Sequence, residues 1–195
     1  SIMSVRRTLS IVLGSGLLLG ATQLSATPPT ASMLADTCVG CHGPEGSSVG
    51  PAIPSIAGMS AEYFNTTMQE YKKDARHATV MNRIAKGYSD EEIALMADYF
   101  AKQEFMRYPQ KLDAAQVEAG AKLYDKNCSK CHDEKGALAD DDAGILAGQW
   151  LPYLTYSMED FTSGKREMPK KMRKKVEKLS SSELDAVLQF FASQQ

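Results

Sequence analysis

The sequence predicts an all-α protein made of two tandem copies of one helical unit. Three observations carry that expectation. The pentapeptide Cys38-Val-Gly-Cys41-His42 returns ninety positions later as Cys128-Ser-Lys-Cys131-His132. The residues that follow the two motifs overlay as far as Phe100 and Phe191. Apolar residues recur at spacings of three and four, the period of a helix face, while strand signals are weak throughout.

The overlay can be followed residue by residue. Adding 90 takes His42 to His132, Ile56-Ala57-Gly58 to Leu146-Ala147-Gly148, Tyr63 to Tyr153 and Met68 to Met158. The offset then becomes 91, and Met81 falls on Met172, Ser89 on Ser180 and Phe100 on Phe191. Self-similarity of this kind reads as two copies of one domain. The stretch 103–110, which contains Pro109, fits neither copy and marks the boundary. The expected division is a leader over 1–26, a first domain over 27–107 and a second over 108–195.

The leader opens Met3-Ser-Val-Arg6-Arg7, runs apolar from Leu9 to Ala21 and closes on Leu24-Ser25-Ala26. That order is a secretory signal peptide cleaved near Ala26, with an apolar run too short to span a bilayer. Arg6-Arg7 leaves the twin-arginine route open beside the general one. No later segment is apolar enough to cross a membrane, so a periplasmic mature chain is expected. Removing 1–26 takes two arginines and no acid, moving the net charge from −2 to −4. An acidic chain of this kind is not built to bind nucleic acid.

Each copy should begin with a helix ahead of its cysteines. Val117, Ala121, Tyr124 and Cys128 form one helix face, and Met33, Leu34 and Cys38 its shorter counterpart. Each copy should end in another. Ser89-x-x-Glu92 is a capping box ahead of Ile93, Met96, Ala97 and Phe100, and Ser180-x-x-Glu183 repeats it ahead of Leu184, Val187, Leu188 and Phe191.

The chemistry lies in the repeated motif. C-x-x-C-H is the attachment signature of c-type haem: two sulfurs reach one porphyrin, and the following imidazole lies under the iron. Cys38, Cys41, Cys128 and Cys131 are all the cysteines of the chain, so two covalent haem c groups are expected, ligated by His42 and His132. A Cys₄ zinc site would place its pairs closer together and gives no reason for a histidine after each. A thioredoxin-type motif needs a βαβ context. Disulfides between neighbours would explain neither the histidines nor the repeat.

A low-spin electron-transfer haem needs a second axial ligand. A methionine thioether favours reduced iron and raises the potential relative to a second histidine. Among ten methionines, Met96 belongs to a helix stripe, and Met68 and Met158 to helical segments, all reading as core. Met81 and Met172 lie between two helices, each ahead of a capping serine, and are the expected ligands. Met168 is the rival in the second copy and His77 in the first. An axial histidine also needs an acceptor for its other ring proton. Pro54 is a candidate acceptor in the first copy, with Gly144 its counterpart, although Pro51 and Pro54 could equally just shape a loop.

These residues resemble tandem class I cytochrome c domains, each wrapped around one covalent haem. More closely, they resemble the dihaem cytochrome subunit of flavocytochrome c sulfide dehydrogenase. The segments carrying the likeness are Ser48-Val-Gly-Pro-Ala-Ile-Pro-Ser-Ile-Ala57, Met81-Asn-Arg-Ile-Ala-Lys-Gly-Tyr-Ser89, Ile145-Leu-Ala-Gly-Gln-Trp-Leu-Pro-Tyr153 and Ala192-Ser-Gln-Gln195. The resemblance implies a heterodimer. FAD sits only on a partner subunit that oxidises sulfide, and a soluble cytochrome c accepts the electrons. The residues agree: all four cysteines are used by haem, and no Gly-x-Gly-x-x-Gly fingerprint follows a strand. The chain alone is not expected to oxidise sulfide. The alternatives are a free-standing periplasmic dihaem carrier delivering to a terminal oxidase and, against two intact Met–His haems, a dihaem peroxidase.

Three features stay open. From Lys165 to Lys178, eight basic residues against Glu167 and Glu177 surround Met172, as a solvated basic helix start or a guide for an acidic partner. Trp150, the sole tryptophan, could be core, haem packing or an interface anchor. Asp140-Asp141-Asp142 reads as an ordinary acidic loop.

Overall fold

The computed structural model describes residues 27–195, and every regular element among them is helical. The expected signal peptide, 1–26, lies outside the described residues. The first copy comprises α1 (Ala31–Asp36), α2 (Val39–His42), α3 (Ala61–Lys72), α4 (Met81–Ala85) and α5 (Asp90–Phe100). The second comprises α6 (Ala114–Asn127), α7 (Leu151–Thr162), α8 (Lys170–Val176) and α9 (Ser181–Ser193). Among the described residues, no helix is long and apolar enough to cross a membrane.

Local sequence explains where the helices begin. Thr30 caps α1 through Met33 N–H, Ser60 caps α3 through Tyr63 N–H, and Asp113 accepts from Ala115 and Gln116 N–H at the head of α6. Both expected capping boxes form: Ser89 with Glu92 on α5, and Ser180 with Glu183 on α9. Each satisfies two backbone donors that would otherwise be orphaned where the last helix starts.

The terminal helices carry the core. In the first copy α5 packs on α1 and α3, burying Ile93, Met96, Ala97 and Phe100 against Leu34, Phe64 and Met68. In the second, α9 lies along α6 and touches α7, burying Val187, Leu188, Phe190 and Phe191 against Tyr124 and Leu154. Met68 and Met96 are therefore core, as their spacing suggested. Phe64 stacks on Phe100 at 5.4 Å, and Tyr124 meets Phe190 at 4.9 Å.

The duplication extends to the backbone. Gly46 O accepts from Ile56 and Ala57 N–H, as Gly136 O does from Leu146 and Ala147. Gly58 N–H donates to Phe100 O at 2.8 Å and Gly148 N–H to Phe191 O at 2.9 Å, tying each haem-motif loop to the end of its terminal helix. Both glycines turn there at positive φ, +67° and +73°, where a side chain would be strained.

The stretches holding Met81 and Met172 differ from expectation. They are short helices, α4 and α8, where the sequence reading placed irregular chain between helices. Met81-Asn-Arg-Ile-Ala and Lys-Lys-Met172-Arg-Lys-Lys-Val hold no internal Gly or Pro, so local helical hydrogen bonding continues. Pro169 stands at the N-cap of α8, where its missing N–H costs nothing.

Candidate haem sites and the seam between them

Each motif folds as one helical turn. Cys38 O accepts from Cys41 and His42 N–H at 3.2 and 2.9 Å, and Cys128 O from Cys131 and His132 at 3.1 and 3.0 Å. The turn gathers the two sulfurs and the imidazole of each motif. None of the four cysteines is in a disulfide; Cys38 and Cys128 are half-buried, Cys41 and Cys131 exposed. Two thiols and an imidazole on one turn fit a porphyrin joined through two thioethers, and the fit repeats in both copies.

His42 is buried, and its Nδ1 lies 2.8 Å from Pro54 O. A carbonyl can only accept, so Nδ1 carries the proton and Nε2 keeps its lone pair for a metal. Burial lowers the His42 pKa, and the Pro54 bond only partly opposes it. The ring is therefore neutral, as a ligand must be.

The second copy departs from this pattern. Among the described residues, the His132 ring has no hydrogen-bond acceptor, and Gly144 does not take the role of Pro54. Burial lowers the His132 pKa, opposed by the charge of Asp140. Its ring meets the edge of Phe191 at 5.9 Å, while its backbone carbonyl accepts from Tyr124 Oη at 2.7 Å. The reason lies in what grips each loop. Ser55, next to Pro54, is held by a buried side chain, Gln149: Ser55 N–H donates to Oε1 at 2.8 Å, and Nε2 donates to Ser55 O at 3.0 Å. The first copy has Met59 where the second has Gln149, so nothing returns the grip on Ile145.

Met81 is half-buried at the head of α4 and packs on the same core as Cys38. Met172 is half-buried on α8. Met168 is buried, lining a cavity of about 430 Å³ with Met158, Val176, Leu184 and Leu188. His77 is exposed.

The Gly-Gln-Trp stretch joins the two copies. Trp150 Nε1 donates to Ser48 O at 2.8 Å, its ring stacks on Tyr108 at 6.1 Å, and Tyr153 N–H donates to Pro51 O at 3.1 Å. Trp150 is thus an anchor within the chain, between its halves. Asp141 of the acidic loop accepts from Ser60 Oγ across the same seam. Replacing Gln149 with Ala would leave Ser55 N–H and C=O buried and unpaired, at about 1–3 kcal/mol each. The expected result is a Tm several degrees lower in thermal melts, with the first haem affected more than the second.

Sequence reasoning missed a cluster at this seam: Tyr63, Tyr71, Tyr153, Arg76 and Arg166. Arg76 and Arg166 also overlay at an offset of 90, which places the inserted residue of the second copy between Arg166 and Met172. That match was the available signal. Arg166 also turns inward, its Nη1 donating to Ser157 Oγ at 3.2 Å, which withdraws one charge from the basic segment around Met172.

Comparison with known proteins agrees with this geometry. Residues 30–104 match the family described as cytochrome c, and residues 115–191 the one described as cytochrome c oxidase, cbb3-type, subunit III. Cytochrome c4 of Pseudomonas aeruginosa is 31% identical over 165 residues, covering 78% of this chain and 81% of that protein. The chain belongs to the cytochrome c4 family. Like its dihaem relatives, this cytochrome c4-type chain carries two covalent haem c groups and serves electron transfer. Reduced cytochrome c4 from Pseudomonas stutzeri shares the fold, with a TM-score of 0.73 at 24% identity over 86% of this chain and 100% of that one. A shorter stretch of 74 residues is 47% identical to the cytochrome subunit of sulfide dehydrogenase from Chlorobaculum tepidum. That match covers 38% of this chain and 66% of the relative.

Proposed function

We propose that this chain is the dihaem electron-transfer subunit of a flavocytochrome c sulfide dehydrogenase. It accepts electrons from sulfide oxidation at the FAD of a partner subunit and passes them to a soluble cytochrome c. The observation that carries this reading is the 47% identity over 74 residues to the Chlorobaculum tepidum subunit, well above the 31% to cytochrome c4. The chain acts after export to the periplasm, as two domains divided between residues 107 and 108.

Cys38 and Cys41 attach the first haem and Cys128 and Cys131 the second. His42 and Met81 ligate one iron, His132 and Met172 the other. The haem supplies a one-electron couple at each site. The protein fixes the tautomer of His42 through Pro54 and buries its ring, and supplies thioethers that favour the reduced iron.

The isolated holoprotein is expected not to turn over sulfide. Slow chemical reduction of its haems is compatible with that expectation, so turnover is the quantity to measure. Adding the matching FAD subunit is expected to give fast haem reduction and onward transfer to an external cytochrome c. Sustained sulfide oxidation by the chain alone would overturn the reading. A second reading, a free-standing carrier to a terminal oxidase, is favoured by the length of the cytochrome c4 match, 78% of this chain. Native preparations without a flavoprotein partner would select it.

A further inference from the structure

The two haem-motif loops are held unequally, and one pair of equivalent positions accounts for the difference. Loop 48–55 carries Pro54, the acceptor for His42, and is closed on itself by Ser48 N–H donating to Ser55 Oγ at 3.0 Å. Its backbone is then fixed from the second copy. Gln149, only 1% exposed, bonds both the N–H and the carbonyl of Ser55, and Trp150 Nε1 donates to Ser48 O. The equivalent loop, 138–145, has Leu138 and Ile145 in place of the two serines, so the internal bond has no counterpart there.

Met59 stands where Gln149 stands in the other copy. It is buried and reaches the opposite loop: a Cβ on Gly144 would lie 3.4 Å from Met59 Cε. Gly144 is the counterpart of Pro54, so position 59 meets the second haem-motif loop much as position 149 meets the first. The two side chains are of similar length and differ in what their ends offer. A primary amide presents both donors and an acceptor, and can bridge the two polar backbone atoms of one residue, whereas a thioether is only a weak acceptor. Gln149 therefore grips where Met59 only packs. Among the described residues, the His132 ring finds no acceptor.

The grip bears on the iron ligand. A ring N–H donated to a fixed carbonyl raises the basicity of the nitrogen on the far side of the imidazole. A more basic ligand favours the ferric state, which carries one more positive charge than the ferrous, and so lowers the potential; hydrogen bonding behind an axial ligand is one of the levers a protein has on haem. Gln149 fixes the residue next to the carbonyl that does this for His42.

We propose that Gln149 is a positioning residue for the axial histidine of the first haem, acting from the second copy through Ser55 and Pro54, and that Met59 at the equivalent position withholds the same support from His132. One pair of side chains thereby makes the two haems unequal. The proposal rests on the axial roles of His42 and His132 and not on the identity of the electron donor. It is therefore tested on the isolated holoprotein, once its two haems are shown to be covalent and low-spin.

Proton NMR of the reduced native holoprotein is expected to show one axial ring N–H protected from exchange, that of His42, and none at His132. In Gln149→Met the His42 proton should lose its protection, and the first potential should rise in a spectropotentiometric titration while the second stays. Met59→Gln should act in reverse: a protected His132 proton appears and the second potential falls, with the first unmoved. A purely structural role for Gln149 would lower the melting temperature without moving one potential apart from the other. If Gln149→Met does not fold with two haems, the native spectrum and Met59→Gln, which keeps the native grip, decide. Two protected ring protons in the native protein, or none, would overturn the proposal. So would a folded variant whose own haem keeps its potential and ring proton, or an equal shift at both haems.

Discussion

Gly120→Val is expected to unfold the second domain while leaving the first folded. α6 crosses α9 at this glycine so closely that a Cβ would lie 2.0 Å from Ala186 O, 2.6 Å from its carbonyl carbon and 2.8 Å from Phe190 Cβ. Overpacking costs about 1–3 kcal/mol when side chains can shift to relieve it. Here the obstruction is backbone on a helix that carries most of the core, so relief requires moving α9 off Tyr124 and Leu154. The expected cost is at the top of that range or above it, against a domain stability of roughly 5–15 kcal/mol. Far-UV circular dichroism should resolve two melting transitions, the earlier belonging to the second half. Gly120→Ala should fall between the variant and the native chain. A single native-like transition for Gly120→Val would mean that the crossing can open at little cost.

Met81→Ala is expected to lower the potential of the first haem and remove its share of the weak near-infrared sulfur-to-iron absorption, with the covalent linkage intact. Met172→Ala is expected to do the same at the second haem. Axial ligands move haem potentials over a range of roughly 0.8 V, so the loss of a thioether should dominate every other single change in the chain. The second site carries the sharper test. Met168 is buried among apolar side chains and Met172 is half-buried on a helix of seven residues. If Met168→Ala abolished the absorption and Met172→Ala left it, the ligand would be the residue ahead of Pro169.

The sequence made the helical class and the duplication readable because each rests on local signals. The capping boxes at Ser89 and Ser180, the apolar stripe of α9 and the repeated C-x-x-C-H all lie within a few residues. Pro54 could be proposed as the His42 acceptor because a fixed offset from the motif suffices to find it. The loss of the corresponding bond at His132 could not be read. It depends on Gln149, 94 residues away from the Ser55 that it holds. The role of Trp150 was hidden for the same reason, since its acceptor, the Ser48 carbonyl, is 102 residues away. The α4 and α8 helices were missed because the segments are short and carry no capping signature. Arg76 and Arg166 stood in plain alignment, but the sequence gives no hint that Arg76 is buried while Arg166 stays half-exposed.

On the loop 48–55, the grip of the second copy falls on main-chain atoms. Gln149 takes both the amide and the carbonyl of Ser55, Trp150 takes the carbonyl of Ser48, and the Tyr153 amide takes the carbonyl of Pro51. Every residue type offers a carbonyl, and every type but proline an amide. None of these bonds uses a side chain of the receiving loop, whose constraint is internal: Ser48 and Ser55 are buried, and Ser55 Oγ accepts from Ser48 N–H. Tolerance to substitution should accordingly be lopsided across the contact, strict at Gln149 and Trp150 for what they reach and strict on the receiving loop only where a side chain packs inward. The repeat that began as two equal copies would then have diverged into a reader and a surface that is read.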